Sequence, residues 1–212
     1  ADALDEEKRW KKYTLMSQEG GFSKKGISFS ESVFRHLFDT VMLGALMLSL
    51  EKKSGNDALD YELLPLAFTL HDFGEGLKGD IDLMEKDIDN DEDEERAFNL
   101  IISVFPEVTQ SYFSSAFAIT EERANAARSG KPLSSISQNG RFFWAVERLG
   151  YLSRAFLEVK SGNNPFANIF YNALEELFAL REEFYSVRYL MDPMTEQMTQ
   201  YLKNIPYTEN KK

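Results

Sequence analysis

The sequence predicts an all-α fold in a single globular domain. Helical periodicity recurs along most of the 212 residues, and no run of alternating apolar and polar residues competes with it. Glycine- and proline-containing turns separate the helical segments. No internal repeat or sharp change in composition divides the chain. A chain of this length buries about 70% of the surface that its unfolded form exposes, so it can build a full core without disulfides.

Capping and turn residues place the predicted helices in order along the chain. Ser28 and Glu31 have the spacing of a capping box, which predicts the start of the second helix. Asp60 is a suitable cap for the third helix, and Asn164 and Asp192, each followed by proline, start the last two. The approximate limits are 6–16, 28–53, 60–73, the segment between the acidic run 87–95 and Pro106, 108–127, 138–159, 164–187 and a short helix from 192.

We expect residues 28–190 to form the core of the domain. Residues 1–27 would add a helix and loop that pack on this core, and residues 191–212 a final helix and tail. The most apolar stretch, Leu37–Leu50, contains Asp39 and is shorter than the about 20 residues that cross a bilayer. The amino end is charged and lacks the apolar segment of a signal peptide, so we expect a cytoplasmic protein without a membrane partner.

The composition excludes several classes of function. A formal net charge of −11 argues against binding to duplex nucleic acid or to anionic membranes, because both need a basic surface. The chain has no cysteine, which excludes disulfide scaffolds, thiol nucleophiles and cysteine-ligated zinc. Any metal site must therefore use nitrogen and oxygen ligands.

The acidic run 87–95 partly matches a calcium-binding loop. Asp87, Asp89 and Asp91 match the first three ligand positions of an EF-hand, but position six is Glu92 instead of glycine and position twelve is not glutamate. We therefore interpret the run as a solvated loop that brings negative charge to the amino end of the following helix.

The two histidines of the chain, His36 and His71, are the strongest candidates for chemistry. Asp72 follows His71 directly, and Glu75 follows three residues later, which places these side chains on adjoining faces of a helix. Imidazoles with carboxylates suit a divalent transition metal, and a neighbouring glutamate could serve as a base towards water. The alternative is that both histidines are core residues held by hydrogen bonds within the protein.

The order of these residues resembles the motif order of the HD-domain metal-dependent phosphohydrolases, most closely the bacterial 5'-deoxynucleotidase branch. That branch has a histidine on one helix, then HDxxE, then GD. Here Glu31, Ser32 and Val33 precede His36, and the sequence HDFGEGLKGDI covers 71–81. The segment 149–166, LGYLSRAFLEVKSGNNPF, resembles the region after the last metal-binding aspartate of the branch. The resemblance covers most of 30–170 and implies an HD-domain helical bundle.

The resemblance also implies roles for individual residues. His36, His71 and Asp72 correspond to three metal ligands of the family. Glu75 corresponds to the residue that activates or positions the attacking water. Asp80 corresponds to a residue that orients this water or contacts the sugar.

The fourth ligand position departs from the family pattern, because the family has aspartate where this chain has Glu147. Glutamate is one methylene longer, but carboxylates of either length bind metals, and apolar neighbours indicate that this helix is buried. We expect Glu147 to be the fourth ligand. The alternative is a surface glutamate paired with Arg148 or Arg154.

The predicted substrate-binding residues also depart from the family, which carries an Arg-Trp pair in the loop before the first histidine. Here that loop reads GGFSKKGISF. Lys24 or Lys25 could contact a phosphate, and Phe22 could stack on a base. Lys86 lies near the position of a phosphate-binding lysine in the branch.

The sequence therefore predicts a metal-dependent phosphohydrolase that acts on a small nucleotide, most simply a 5'-(deoxy)nucleotide monophosphatase. Nitrogen and oxygen ligands favour Mn, Co, Fe, Ni or Zn over Mg or Ca. The alternatives are a nucleoside triphosphohydrolase, a non-catalytic HD-domain protein that binds a nucleotide or a partner, and an alarmone hydrolase of the wider superfamily. The family forms dimers, and the aromatic carboxyl-terminal half fits a homodimer.

Overall fold

We describe the fold from a computed structural model, for residues 8–9, 31–73 and 88–203. Within these ranges the chain forms two short strands, a 3₁₀ turn and seven α-helices. The strands are β1 (Lys8–Arg9) and β2 (Glu31–Ser32), and the turn is Leu133–Ser135. The helices are α1 (Val33–Ser54), α2 (Leu63–Leu70), α3 (Ile88–Ile102), α4 (Glu107–Arg128), α5 (Gln138–Lys160), α6 (Phe166–Arg181) and α7 (Tyr185–Leu202).

The predicted all-α class is confirmed, with a correction at the amino-terminal end. Lys8 and Arg9, which we predict in a first helix, form β1 and pair antiparallel with Ser32 and Glu31 of β2. Because Glu31 is extended and paired, it does not occupy the third helical position that a capping box requires, and α1 begins at Val33. The remainder of the predicted first helix, and Ser28, lie outside the described residues.

A second correction concerns the acidic run. The backbone is helical from Ile88 onwards, so most of the run forms the first turns of α3 and not a loop before it. Acidic residues favour the amino end of a helix, since they interact well with its dipole. This helical backbone is also unlike the turning loop of an EF-hand.

Helix α5 is the centre of the bundle. It packs against α1, α2, α4, α6 and α7, and 12 of its 23 residues are buried. Ser137 caps its amino end by accepting a hydrogen bond from the Gly140 amide at 3.0 Å, while the Ser137 hydroxyl donates to Glu122 of α4 at 2.7 Å. These contacts fix the amino end of α5 against α4.

Asp60 binds the start of α2, but the helix begins at Leu63 with Glu62 in the N-cap position, later than the predicted residue 60. The Asp60 Oδ1 atom accepts hydrogen bonds from the amides of Glu62 and Leu63 at 3.0 and 2.9 Å. The amide of Asp60 donates to Asn139 of α5 at 2.9 Å. The helix ends at Leu70, so the residues that follow it can leave the helical path.

No described helix of the protein is long and apolar enough to cross a membrane.

Gly44 sets the distance between α1 and α2. A Cβ atom at this position would overlap the ring of Phe68 on α2. Phe68 is buried and stacks on Phe143 of α5, with ring centroids 6.0 Å apart, so its ring has little room to move. The close approach of the two helices brings His36, on α1, towards His71, which follows α2.

We expect Gly44→Ala to lower the free energy of unfolding by about 1–3 kcal/mol, because the added methyl group overpacks the α1–α2 contact. Gly150→Ala is the matched control within a helix. A Cβ at Gly150 meets only Leu43 Cδ2 at 4.0 Å, so alanine should raise stability by up to about 1 kcal/mol through helix propensity. Urea unfolding of both variants measures the difference. Equal effects would contradict the role assigned to Gly44.

The chain turns between α6 and α7 at residues 182–184, within the segment 164–187 that we predict as one helix. Phe184 is fully buried and its ring lies 5.1 Å from that of Phe142. Arg141 binds Glu183 through two hydrogen bonds, at 2.8 and 2.7 Å. The hydrogen bond to Glu183 raises the pKa of the Arg141 guanidinium above its ordinary value. These contacts with α5 stabilise the turn.

Helix α7 continues through Asp192 and Pro193, where we predict the start of a separate short helix. The Asp192 carboxylate is bound by Arg181 of α6 at 2.9 and 3.0 Å. Pro193 has no N–H to donate to the carbonyl of Tyr189, and because Tyr189 is exposed, water can hydrate that carbonyl. The predicted domain limit at 190 lies inside this helix.

Glu51 connects the end of α1 to the start of α7. It is 1% exposed, and its Oε1 accepts a hydrogen bond from the Ser186 amide at 2.7 Å, at the amino end of α7. Its Oε2 accepts from Asn56 Nδ2 at 3.0 Å. Burial, together with the charges of Glu51 and Asp57, raises the pKa of Tyr61. The buried carboxylate thus satisfies a helix end that has no other side-chain cap.

We expect Glu51→Gln to lower the free energy of unfolding by about 1–3 kcal/mol, because an amide cannot accept both hydrogen bonds and carries no charge towards the helix dipole. The control is Glu175→Gln on the exposed face of α6, which should change stability by less than about 0.5 kcal/mol. Thermal and urea unfolding measure both. An unaffected Glu51→Gln protein would show that this contact contributes little.

Candidate metal centre

Four predicted ligands converge in the interior of the described structure. His36 comes from the first turn of α1, His71 and Asp72 follow the end of α2, and Glu147 comes from the middle of α5. His36 Nε2 lies 3.7 Å from Asp72 Oδ2 and 3.5 Å from Glu147 Oε2. His71 Nε2 lies 3.4 Å from Asp72 Oδ2 and 3.4 Å from Glu147 Oε1. The Nε2 atoms of both imidazoles thus face both carboxylates.

The site is compact and largely shielded from solvent. The rings of His36 and His71 are 5.3 Å apart and nearly perpendicular, at 71°. Ligand atoms of His36, His71 and Glu147 all lie within 4.8 Å of one another, which is a spacing that can hold a metal ion. His36, Asp72 and Glu147 are each buried.

The orientation of the His71 ring prepares one nitrogen for a metal. Nδ1 lies 3.0 Å from the carbonyl oxygen of Phe68, and we assign it the proton that it donates there. Nε2 then carries the lone pair. This atom is buried, and no described group forms a hydrogen bond with it. A buried polar atom without a hydrogen bond is unfavourable, and a cation at this position would satisfy it.

The charges of the site also fit a divalent cation. Asp72 and Glu147 bring two carboxylates into one buried space, where like charges repel strongly. A 2+ ion would balance both, and the two imidazoles would supply nitrogen donors. The residues present therefore fit the mixed nitrogen and oxygen site that the sequence predicts.

Glu147 is 7% exposed, so it is not the surface residue of the alternative interpretation. Arg148, one of its proposed surface partners, forms an ion pair with Glu176 of α6 at 3.0 Å. Arg154, the other, forms one with Glu158 at 2.7 Å. The position of Glu147 on α5 directs its carboxylate towards the histidines.

Two residues at the site were missed by the sequence analysis. Thr40 donates a hydrogen bond to Glu147 Oε1 at 3.2 Å and lies 3.5 Å from His36 Nε2. Its position four residues after His36, on the same helix face, is the signal that could have identified it. Tyr151, one turn after Glu147, places its ring 6.1 Å from that of His36.

Arg148 supports this part of α5 from the side. Its guanidinium carbon lies 3.8 Å from the ring centre of Trp144 and 4.6 Å from that of Tyr151. Such contacts between a cation and aromatic rings are favourable when they are partly buried. Arg148 thereby links Tyr151, beside His36, to the ion pair with α6.

The other predicted site residues lie outside the described part of the chain. Their predicted roles as water-activating, sugar-contacting, phosphate-binding or base-stacking groups remain predictions. They are Glu75, Asp80, Lys24, Lys25, Lys86 and Phe22.

Comparisons with known proteins identify related folds. A family model described as 5'-deoxynucleotidase YfbR-like matches residues 22–198. Among solved structures, the chain is similar to a conserved hypothetical protein from Pyrococcus furiosus, with a TM-score of 0.61 and 24% identity, covering 92% of this chain and 94% of that chain. It is also similar to an HD-domain phosphohydrolase from Listeria innocua, with a TM-score of 0.54 and 17% identity, covering 92% and 89%.

At these identities the two structures show the fold alone, and the second confirms the predicted HD-domain bundle. A comparison with curated proteins finds no match.

Proposed function

The chain belongs to the YfbR-like 5'-deoxynucleotidase family, and from this premise we propose that it hydrolyses the phosphoester of a 5'-(deoxy)nucleotide with the help of a divalent metal ion. The observation that carries the proposal is the convergence of His36, His71, Asp72 and Glu147, in which His71 Nε2 is buried and has no hydrogen bond from the described residues. Ligand atoms of His36, His71 and Glu147 lie within 4.8 Å of one another. Two imidazoles and two carboxylates at these distances suit a transition metal better than an ordinary core.

Each ligand has a distinct task in this proposal. His36 and His71 hold the ion with neutral nitrogens, and the Phe68 carbonyl keeps the His71 ring in the required tautomer. Asp72 and Glu147 neutralise its charge. The ion, when bound, acts as a Lewis acid on the phosphoryl group and lowers the pKa of a water molecule.

The remaining steps use residues proposed from the sequence. Glu75 accepts a proton from the attacking water, since a carboxylate just after the HD pair is close in sequence to two ligands. Asp80 orients this water or contacts the sugar. Lys24, Lys25 and Lys86 neutralise the phosphate, and Phe22 stacks on the base.

Product analysis tests the reaction and its main alternative. The full-length protein is incubated with a panel of ribo- and deoxyribonucleoside mono- and triphosphates, with Mn²⁺, Co²⁺ or a chelator. We expect inorganic phosphate from monophosphates, only with metal. Release of triphosphate would assign the triphosphohydrolase alternative, and no turnover with any substrate and metal would favour the non-catalytic one.

The identity of the metal is a separate part of the proposal. Nitrogen and oxygen donors together favour Mn, Co, Fe, Ni or Zn. Elemental analysis of protein purified without chelator should find about one equivalent of one of these. A metal content below about a tenth of an equivalent, without rescue by added Mn²⁺ or Co²⁺, would contradict a metal-dependent enzyme.

Two further parts of the proposal concern the setting of the protein. We propose, as expected from the sequence, that it acts in the cytoplasm on free nucleotides. We also propose a homodimer, which light scattering of the purified protein tests directly.

A further inference from the structure

Thr40 lies beside the metal centre, one helical turn after His36 on α1, and is 5% exposed. Its Oγ1 donates to Glu147 Oε1 at 3.2 Å and lies 3.5 Å from His36 Nε2. The four ligands discussed above do not include it. The question is therefore what a buried hydroxyl does among them.

The partner of this hydrogen bond distinguishes Thr40 from several other hydroxyls of the described residues, although the Ser137 hydroxyl at the start of α5 also donates to a carboxylate of another helix. Those several others donate back to the carbonyl four residues earlier, as serine and threonine commonly do. Thr40 instead reaches from α1 to a charged side chain of α5. Hydrogen bonds to a charged acceptor are the stronger kind. The residues that bond back are Thr69, Ser115, Thr195 and Thr199, together with Ser161 directly after the end of α5.

The hydroxyl has one proton to donate, and two acceptors lie near it. A lone pair of His36 Nε2 that binds a cation is not available to accept a hydrogen bond. Of the two acceptors, only Glu147 can then accept the hydrogen bond from the Thr40 hydroxyl. The hydrogen bond and the occupied site are therefore compatible.

Glu147 needs such a partner because its side chain is long. Glutamate has three side-chain torsions, and the last of them has only a weak intrinsic preference. Ordering these torsions when a cation binds costs conformational entropy, which weakens binding. A hydroxyl that holds Oε1 in advance removes part of this cost. The β-branched Thr40 side chain is itself stiff in a helix.

We propose that Thr40 is a positioning residue, whose hydroxyl holds the Glu147 carboxylate in its ligating orientation and thereby sets the affinity of the centre for a divalent cation. The inference rests on the proposed function, because it takes His36, His71, Asp72 and Glu147 as ligands. It adds a group outside the ligand set that tunes the site. Outer groups of this kind typically change metal affinity by about 10–100-fold.

The test measures binding of Mn²⁺ alone to the metal-stripped full chain, by competition with a chromophoric chelator. Thr40→Val removes the hydroxyl at nearly constant shape and should raise the Kd about 10–100-fold. Thr40→Ser keeps the hydroxyl and should restore most of the affinity. Thr195→Val is the matched control, because the Thr195 hydroxyl bonds to its own helix, and it should leave the Kd unchanged.

A double-mutant cycle separates positioning from a general structural effect. In the Glu147→Asp protein the carboxylate is one methylene shorter and lies too far back on α5 to hold the same hydrogen bond. Adding Thr40→Val there should change the Kd by less than about twofold. If the role of Thr40 were merely structural, Thr40→Val would raise the Kd by the same factor in both backgrounds. Thermal unfolding of each metal-free variant checks that the chain is folded, and Thr40→Ala replaces Thr40→Val if the latter is not.

The outcomes distinguish this inference from the proposed function. If wild-type protein binds Mn²⁺ and Thr40→Val binds it equally well, the role of Thr40 is wrong and the metal centre stands. The role is also overturned if Thr40→Val raises the Kd by the same factor with Glu147 and with aspartate at position 147. A wild-type protein that binds no divalent cation contradicts the metal centre itself, and the inference with it.

Discussion

Replacement of His71 by alanine is expected to abolish metal binding and to lower nucleotide hydrolysis by at least about 10³-fold. The ring supplies the one ligand atom that is buried and has no hydrogen bond from the described residues. Its loss also leaves His36 as the one imidazole that faces both the Asp72 and the Glu147 carboxylate. Metal content and phosphate release, measured on the same preparation, check both effects.

The variant His71→Asn, whose side-chain amide can take the position of Nδ1, shows which nitrogen matters. Its amide can replace Nδ1 as donor to the Phe68 carbonyl, but it has no atom in the place of Nε2. We expect it to lose metal as completely as His71→Ala does, but to unfold at a higher temperature than His71→Ala. If His71→Asn retained a full equivalent of metal, ligation through Nε2 would be wrong.

Glu75→Gln is expected to bind metal normally and to lose turnover by about 10²–10⁴-fold. The amide has nearly the shape of the carboxylate but cannot accept a proton, so only the proton transfer is removed. The Glu75→Gln protein keeps all four proposed metal ligands. Metal titration and steady-state kinetics, run in parallel, separate the two functions.

Glu196→Gln is the control for this charge change, since Glu196 is exposed on α7, and it should retain full activity. A Glu75→Gln protein with unchanged kcat would contradict the role of Glu75 as proton acceptor. Loss of metal together with activity would instead make Glu75 part of the ligand set.

The convergence of the four proposed ligands could be predicted, because residue types that bind metals occur in short motifs of the sequence. His71 and Asp72 are adjacent, and His36 lies within an apolar helix where a polar ring needs a partner. The resemblance also predicts Glu147 as a ligand, although this residue differs from the family pattern. Thr40 was not predicted, because its position one helical turn after His36 indicates a role only once its partner across the bundle, Glu147, is known.

The helix limits were wrong where distant residues decide them. The Ser28 and Glu31 spacing indicates a cap, but pairing of Glu31 with Arg9 extends the backbone. Similarly, the turn before α7 depends on burial of Phe184 and on the ion pair of Glu183 with Arg141. Local propensity is a weak guide when tertiary contacts oppose it.

The proposed cation site joins segments that are far apart in the sequence, since its proposed donors come from α1, the end of α2 and α5. An unfolded chain cannot present these donors together, so an ion bound only to the native state acts as a reversible cross-link. At a hundred times its Kd, such an ion adds about 2.7 kcal/mol to stability by mass action. Metal starvation would therefore shorten the lifetime of the protein against proteases as well as stop its reaction.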